Sequence, residues 1–332
     1  MAEADRSGPT VAVIGLGSMG MRHAANAQEL GARVVGVEPD PSRRDQAVAT
    51  LPQLRFVKDV VDAAAVADAA VIASPSSRHA DDLRVCLSAG CHVLVEKPLA
   101  DRTDEMRALM QQARKSNRIV AVAQNLRFHP AVMAARSILD AGEFGPVLSA
   151  VSIGASYLPE WRPNQDYRTN YAADPKSGGV MFDWIHEVDL LAHLLGPFRV
   201  QGAASAGQRV LEMESEEEAG LLLRHTQGCL SMVLLSYTTR PPLRKTTLFG
   251  PNGRLEIDIP ARTLLQLDAH GNPVREEAFG GQHTDDYKSE LQDFLSAIRT
   301  GGPPRCSGEE ALEILQGVLD ARRIAGLPQH GS

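Results

Sequence analysis

The segment Val11 to Asn26, Val-Ala-Val-Ile-Gly-Leu-Gly-Ser-Met-Gly-Met-Arg-His-Ala-Ala-Asn, constrains this chain more than any other. Val11, Val13 and Ile14 form a short β-branched apolar run that reads as a buried strand. Gly15, Gly17 and Gly20 follow at G-x-G-x-x-G spacing, with Ser18 and Met19 between them, and the helix-favouring run Met21 to Leu30 comes next. Gly15 permits a tight turn, Gly17 lets a pyrophosphate approach the backbone, and Gly20 lets a helix pack close to a sheet. The helix N-terminus offers N–H groups and a positive dipole end. A second apolar run, Arg33 to Val37, ends in Glu38, about 20 residues after the glycines, the spacing for an acid that accepts ribose hydroxyls. A dinucleotide site is expected here, with NAD favoured over a 2′-phosphorylated cofactor. Arg43 and Arg44 are either solvated charges on a helix face or takers of a 2′-phosphate, so NADP is the second candidate.

Composition narrows the class. At 332 residues and 43% hydrophobic content, two globular domains are expected. No apolar run approaches the ~20 residues of a membrane span, and the polar segment Met1 to Pro9 does not read as a secretory or transit signal. A net charge of -7 without a basic block argues against nucleic acid or anionic membrane as partner. Cys86, Cys91, Cys229 and Cys306 lack metal-ligand spacing and read as reduced thiols. A soluble cytoplasmic protein without a metal site is expected.

After the glycine turn, strand-like runs (Val34 to Val37, Phe56-Val57, Ala70 to Ala73, His92 to Val95, Arg118 to Ala123) alternate with helix-like ones, among them Asp59 to Ala69 and Ala80 to Gly90. This is the pattern of a parallel sheet with crossover helices. Ligands bind such sheets at the carboxyl ends of the strands, so Ser74-Pro75-Ser-Ser-Arg-His79 is expected to border the cofactor, unless His79 is only a helix cap. The fifth strand delivers Glu96-Lys97-Pro98. The proline is expected to hold Lys97 extended, where desolvation would lower its pKa and suit it to proton transfer; the alternative is a surface lysine.

Beyond Asn125 the character changes. Val147 to Tyr157, Val200 to Val210, Ala219 to Leu223, Gly228 to Tyr237, Thr246 to Phe249 and Leu255 to Ile259 are strand-like. Turn signals at 225–228, 251–253 and 270–272 imply hairpins and a large, mostly antiparallel sheet. Helices are expected at Pro130 to Asp140, Val180 to Leu195, Asp285 to Thr300 and Glu309 to Ile324. The helix opened by Gly178-Gly179 carries Asp183, His186, Glu187, Asp189 and His193. Asp183 and His186 are i and i+3 and would share a face, a carboxylate beside an imidazole that suits proton transfer. His193 reads as a helix-packing residue.

Together, Gly15 to Gly20, the loop ending at His79, Ala89 to Leu99 with Glu96-Lys97-Pro98, Gln124 to His129, Ser177 to His186 and Tyr287-x-x-Glu290 resemble the Gfo/Idh/MocA oxidoreductases. The resemblance covers nearly the whole chain. It implies a Rossmann NAD(P)-binding domain over 1–124 and an α+β substrate and oligomerisation domain with an open-faced sheet over 125–332, with the last helix able to pack back on the first. Expected cofactor contacts are Gly15, Gly17, Ser18, Met19, Gly20, Glu38, Ser74, Pro75, His79, Glu96, Lys97 and Asn125. Lys97 would hydrogen-bond the reacting oxygen, and His186, with Asp183, would handle the proton. Many relatives have Asp, three residues, then His; here two intervene, which favours His186 over Asp183. Arg127, Tyr157, Trp161, Arg162, Tyr167, Arg168 and Lys176 would wall the substrate pocket, or else form a surface loop or subunit arm. The implied activity is an NAD(H)-dependent dehydrogenase or reductase of a sugar, cyclitol or sugar-derived metabolite, assembled as a homodimer or homotetramer through the sheet. The alternatives are an NAD-retaining glycosidase-type relative without net redox, or a cofactor-sensing protein without turnover.

Overall fold

A computed structural model describes residues 8–329, so most of the N-terminal segment read as no targeting signal lies outside the described residues. The chain begins β1 (Thr10–Ile14), α1 (Ser18–Glu29), β2 (Arg33–Val37), α2 (Pro41–Thr50), β3 (Arg55–Phe56), α3 (Val60–Ala64), β4 (Ala69–Ile72), α4 (His79–Ser88), β5 (His92–Val95), α5 (Asp104–Lys115) and β6 (Val120–Val122). The six strands are parallel in the order β3-β2-β1-β4-β5-β6. Strand order reverses between β1 and β4, the switch point where open α/β sheets bind ligands. The expected helix from Asp59 to Ala69 is shorter. Asp59 caps its first turn, but Asp68 must return to the sheet, where its carboxylate accepts from the Thr10 N–H at 2.8 Å.

The second region contains α6 (Pro130–Asp140), β7 (Ser149–Tyr157), α7 (Val180–Asp183), α8 (Ile185–Leu195), β8 (Phe198–Ser205), β9 (Glu218–His225), β10 (Leu230–Ser236), β11 (Thr238–Gly250), β12 (Gly253–Asp258), β13 (Thr263–Asp268) and β14 (Pro273–Ala278). The eight strands lie in the order β14-β13-β12-β11-β7-β10-β9-β8, and only β7 with β10 is parallel. Helices α6, α7 and α8 pack against this sheet. Along its strands Leu221, Leu223, Val233, Leu235 and Leu248 are buried, while the alternating Leu222, Met232, Leu234 and Phe249 are exposed.

Three local features depart from the sequence reading. The 270–272 turn joins β13 and β14 in an edge hairpin, but neither strand was read as one, and the mostly exposed Pro-Val-Arg-Glu-Glu-Ala strand has no apolar alternation to announce it. β11 runs through Pro241 and Pro242, accommodating them in a register shift between Thr238 and Leu243. The helix expected from Val180 to Leu195 breaks at Trp184 (φ −94°, ψ 27°). The Trp184 indole presses on β7, where a Cβ at Gly154 would lie 2.5 Å from the ring, and so holds that residue out of helical geometry.

The chain closes with α9 (His283–Thr300) and α10 (Gly308–Ile324). It forms two compact units, one of residues 8–125 and 283–312, the other of 126–282 and 313–329. Helix α9 belongs to the first unit, and α10 begins there with Gly308–Leu312 before continuing in the second. In α9, Leu291 and Phe294 are buried with Val11, Val13, Val71 and Leu94.

Candidate active site

In the first unit, β1 runs directly into Gly15, whose φ of +87° only glycine adopts without strain. A Cβ on Gly20 would lie 1.8 Å from the Gly15 carbonyl oxygen, so α1 sits as close to the loop as glycine permits. Nothing lies within 4 Å of where a Gly17 Cβ would be, which leaves the loop open to a diphosphate. No side chain caps α1, and its first turn, with Ser18 and Met19, contains no acid. The positive end of the helix therefore faces no competing carboxylate of its own. These features fit a dinucleotide.

Glu38 is buried at the end of β2. Its carboxylate accepts from the Leu16 N–H at 2.8 Å and the Asp40 N–H at 3.0 Å. Its first task is to fix the glycine loop, and it sets a negative charge at the strand end. Arg43 reaches within 3.9 Å of that carboxylate, and Arg44 donates to the Glu38 carbonyl.

The residues after β4 and β5 serve each other rather than projecting outward. The His79 ring is buried; its Nε2 faces the Ser74 carbonyl at 2.8 Å, and Nδ1 faces the Pro98 and Leu99 carbonyls at 3.1 and 3.3 Å. The Ser74 hydroxyl donates to Asp82 at 2.6 Å, and Pro75 opens the turn Ser76–Arg78. Thus His79 ties the Ser74 loop to the segment after Lys97. The Lys97–Pro98 peptide is cis, a form that a tertiary amide tolerates. Lys97 itself is half-buried at the turn.

Glu96 likewise faces inward. It accepts from the Lys97 N–H at 3.1 Å and pairs with His23 of α1 at 2.7 Å. Burial pushes its pKa up, but the His23 hydrogen bond and the charges of His23 and Lys97 outweigh this and hold it below the usual carboxylate value. Asn125 donates to His283 of α9 at 3.3 Å; His283 stands edge-on to Tyr287, over which the Arg22 guanidinium lies at 4.5 Å. His283 lay outside the sequence reading, because nothing local marks a residue 158 positions away as a neighbour of Asn125.

In the second unit, the Gly178-Gly179 turn is gripped from below. Gly179 has φ +97°, and a Cβ there would meet the Glu216 carboxylate at 2.2 Å. Glu216 pairs with the fully buried Arg322 at 2.6 Å, and Arg322 also donates to the carbonyls of Gly178 and Pro175 at 3.2 and 2.8 Å. Burial, only partly offset by Arg322, pushes the Glu216 carboxyl above its usual range. The turn launches α7 and Asp183, whose carboxylate accepts from Tyr171 at 2.5 Å and from Tyr237 at 2.6 Å. The break at Trp184 cancels the i, i+3 argument for a shared face. Asp183 ends α7, and half-buried His186 lies in the first turn of α8.

Trp161, Arg162, Tyr167 and Asp183, all candidates from sequence, line one pocket together with Leu158, Asn170, Tyr171 and Ala172. The Trp161 ring stands edge-on to Trp184 and Tyr237, and its N–H donates to Ser156 at 2.6 Å. Arg127 was expected on the substrate wall. It is buried in a bidentate pair with buried Asp189 (2.7–3.1 Å), a correction the sequence did not foresee because Asp189 lies 62 residues away. The Arg240 guanidinium covers the Tyr157 ring at 3.5 Å. Arg168 is engaged by Asp166 and Glu212, and Lys176 is exposed in the turn after Asp174. Tyr171, Tyr237, Glu216 and Arg322 are further site residues that carried no local sequence signal. Among the described residues no cluster of three or more His, Cys, Asp or Glu side chains could hold a metal ion, and no helix is long and apolar enough to cross a membrane.

Residues 10–124 match the model of an oxidoreductase family with an NAD-binding Rossmann fold, and residues 132–256 match the GFO/IDH/MocA C-terminal domain. The chain is 30% identical over 261 residues to D-xylose 1-dehydrogenase (NADP(+)) 2 of Haloferax volcanii, covering 76% of each chain. It is 27% identical to UDP-N-acetylglucosamine 3-dehydrogenase of Acidithiobacillus ferrooxidans over 93% of this chain and 95% of that one. Inositol 2-dehydrogenase of Rhizobium meliloti is 26% identical over 91% and 92% of the two chains. In fold, it superposes on a levoglucosan dehydrogenase complexed with NADH and levoglucosan with a TM-score of 0.86, at 20% identity over 96% and 97% of the chains. The chain belongs to the GFO/IDH/MocA oxidoreductase family, and its first unit carries that family's NAD-binding Rossmann fold.

Proposed function

We propose that the protein is an NAD(H)-dependent dehydrogenase or reductase acting on a hydroxyl or carbonyl carbon of a sugar, cyclitol or sugar-derived metabolite. The observation that carries this reading is the family match over a glycine turn left open to a diphosphate; in the second unit, the rings of Trp161, Tyr167 and Tyr171 stand beside polar Asp183, Asn170 and Arg162. Flat rings suit the C–H faces of a sugar, and a few polar groups suit its hydroxyls. Relatives named for the oxidation of xylose, inositol and UDP-N-acetylglucosamine support the same class.

When bound, NAD supplies the hydride acceptor or donor. Lys97, held by the turn that His79 secures, donates a hydrogen bond to the reacting oxygen. His186 takes or returns the hydroxyl proton. Asp183, fixed by two phenol donors, orients the substrate. The Glu38 carboxylate repels a 2′-phosphate and so favours NAD over NADP.

The exposed apolar face of the second-unit sheet, with Leu222 opposite Met232 in register, supports a homodimer or homotetramer. Four buried cysteines outside any disulfide agree with a reducing cytoplasm. Fluorescence titration with NADH and NADPH, followed by a sugar and inositol screen read by NADH absorbance, tests the reaction; sedimentation tests the assembly. Saturable NADH binding with turnover of a polyol or sugar is expected. Binding without bulk turnover of any polyol or sugar would sink the dehydrogenase reading.

A further inference from the structure

Two cations along α1 and α9 are held in different ways. At the C-terminal end of α1, Lys288 of α9 meets the Glu29 carboxylate at 2.8 Å. Arg22, two residues after Gly20, is half-buried, and among the described residues no carboxylate pairs with it. It lies over the Tyr287 ring of α9, 4.5 Å from the centroid, and its Nη1 faces the Met19 Sδ at 3.8 Å. A ring fixes a cation without neutralising its charge, and a thioether is a weak acceptor. The Met19 contact draws the guanidinium back toward the first turn of α1, beside the Gly17-to-Gly20 loop. That turn contains no acid, and the Gly17 position is open. Positive charge therefore gathers at the glycine turn from two sources, the helix dipole and an arginine without a counter-charge.

We infer that the Arg22 guanidinium is a binding residue for the diphosphate of the dinucleotide, donating to a phosphate oxygen while Tyr287 steadies it from α9. The inference rests on the dinucleotide reading of the glycine turn. It adds a charged side chain to a site otherwise built from backbone N–H groups and the helix end. Arginine suits the task, because its several N–H donors and permanent charge match phosphate oxygens.

The test is Arg22→Met, which keeps an unbranched apolar stem and removes the charge, with Lys288→Met as the companion that removes a charge at the other end of α1. NADH binding is followed by fluorescence at low and high salt, and ADP-ribose, which keeps the diphosphate and lacks nicotinamide, is measured by displacement of NADH. For Arg22→Met, the affinities for NADH and ADP-ribose fall together, by at least about fivefold at low salt. The salt dependence of NADH binding also flattens, because one screened charge pair has gone. Lys288→Met stays within a factor of about two of wild type. A smaller loss for Arg22→Met overturns the inference, as does a loss that ADP-ribose does not share. A loss that leaves the salt dependence unchanged, as a purely structural role predicts, or that Lys288→Met matches, overturns it too. All of these leave the dinucleotide reading standing. Wild-type protein that binds neither NADH nor ADP-ribose overturns both.

Discussion

The two units treat buried polar side chains differently. In the first, they are tied largely to backbone. Glu38 takes the N–H groups of Leu16 and Asp40, and His79 faces the carbonyls of Ser74, Pro98 and Leu99. In the second, buried charges are tied to charged side chains: Arg127 with Asp189, Arg322 with Glu216, and Glu187 with the half-buried Arg244. The contrast follows from architecture. A parallel sheet sends its loops to one end, where exposed backbone groups need partners. The second unit carries a long connection of short turns, residues 158–179, whose end Arg322 holds through the Pro175 and Gly178 carbonyls.

Breaking each region in turn separates these designs. The largest effect is expected from Lys97→Ala, which removes the hydrogen-bond donor at the end of β5. Turnover falls about 10²–10⁴-fold while NADH affinity by fluorescence stays within a factor of about two. Unchanged turnover would remove Lys97 from the mechanism.

Next in size is Arg127→Ala, which strands Asp189 as a buried, uncompensated charge. It should cost roughly 3–5 kcal/mol of stability in a denaturant titration. The double change Arg127→Leu, Asp189→Leu should recover most of that. A stable single variant with a raised KM would return Arg127 to the substrate wall.

In the first unit, His23→Ala should cost less, about 1.5–3 kcal/mol, because it removes one hydrogen bond to a charged group. The lowered Glu96 pKa contributes stability that is present above the carboxylate's usual value of 4.5 and lost as pH falls through its lower folded value. His23→Ala therefore shifts the acid-unfolding midpoint, followed by circular dichroism, to higher pH. A midpoint that stays in place would show that this pair contributes nothing to acid stability.

Smallest is Glu38→Ala. NADH binding should weaken about tenfold and the gap to NADPH narrow, as the strand-end charge and the loop anchor are lost together. If NADPH already binds better to the wild type, the carboxylate is not the discriminator.

The local signals were strong where one element decides its own conformation. Gly15, Gly17 and Gly20 announced the turn, and Val11 to Ile14 and His92 to Val95 announced buried strands, because each is a property of a few adjacent residues. Trp161, Arg162 and Tyr167 were candidates from the polar and aromatic run 161–168, and Asp183 from its spacing to His186; these four line one recess. Arg127 was misread for the opposite reason. An arginine near a site looks the same whether it faces a ligand or an aspartate 62 residues away.

The sequence by itself determined the family, the dinucleotide turn, the strand that delivers Lys97 and the change to hairpin-linked strands after Asn125. The structure alone decided that Trp184 splits the helix, that Glu96 pairs with His23 and His79 with the Ser74 and Pro98 carbonyls, and that Tyr171 and Tyr237 hold Asp183. The physical reason is range. Backbone turns and burial periodicity are set by neighbours along the chain. The partner of a buried polar group is whichever distant side chain or backbone group the packed fold brings within about 3 Å.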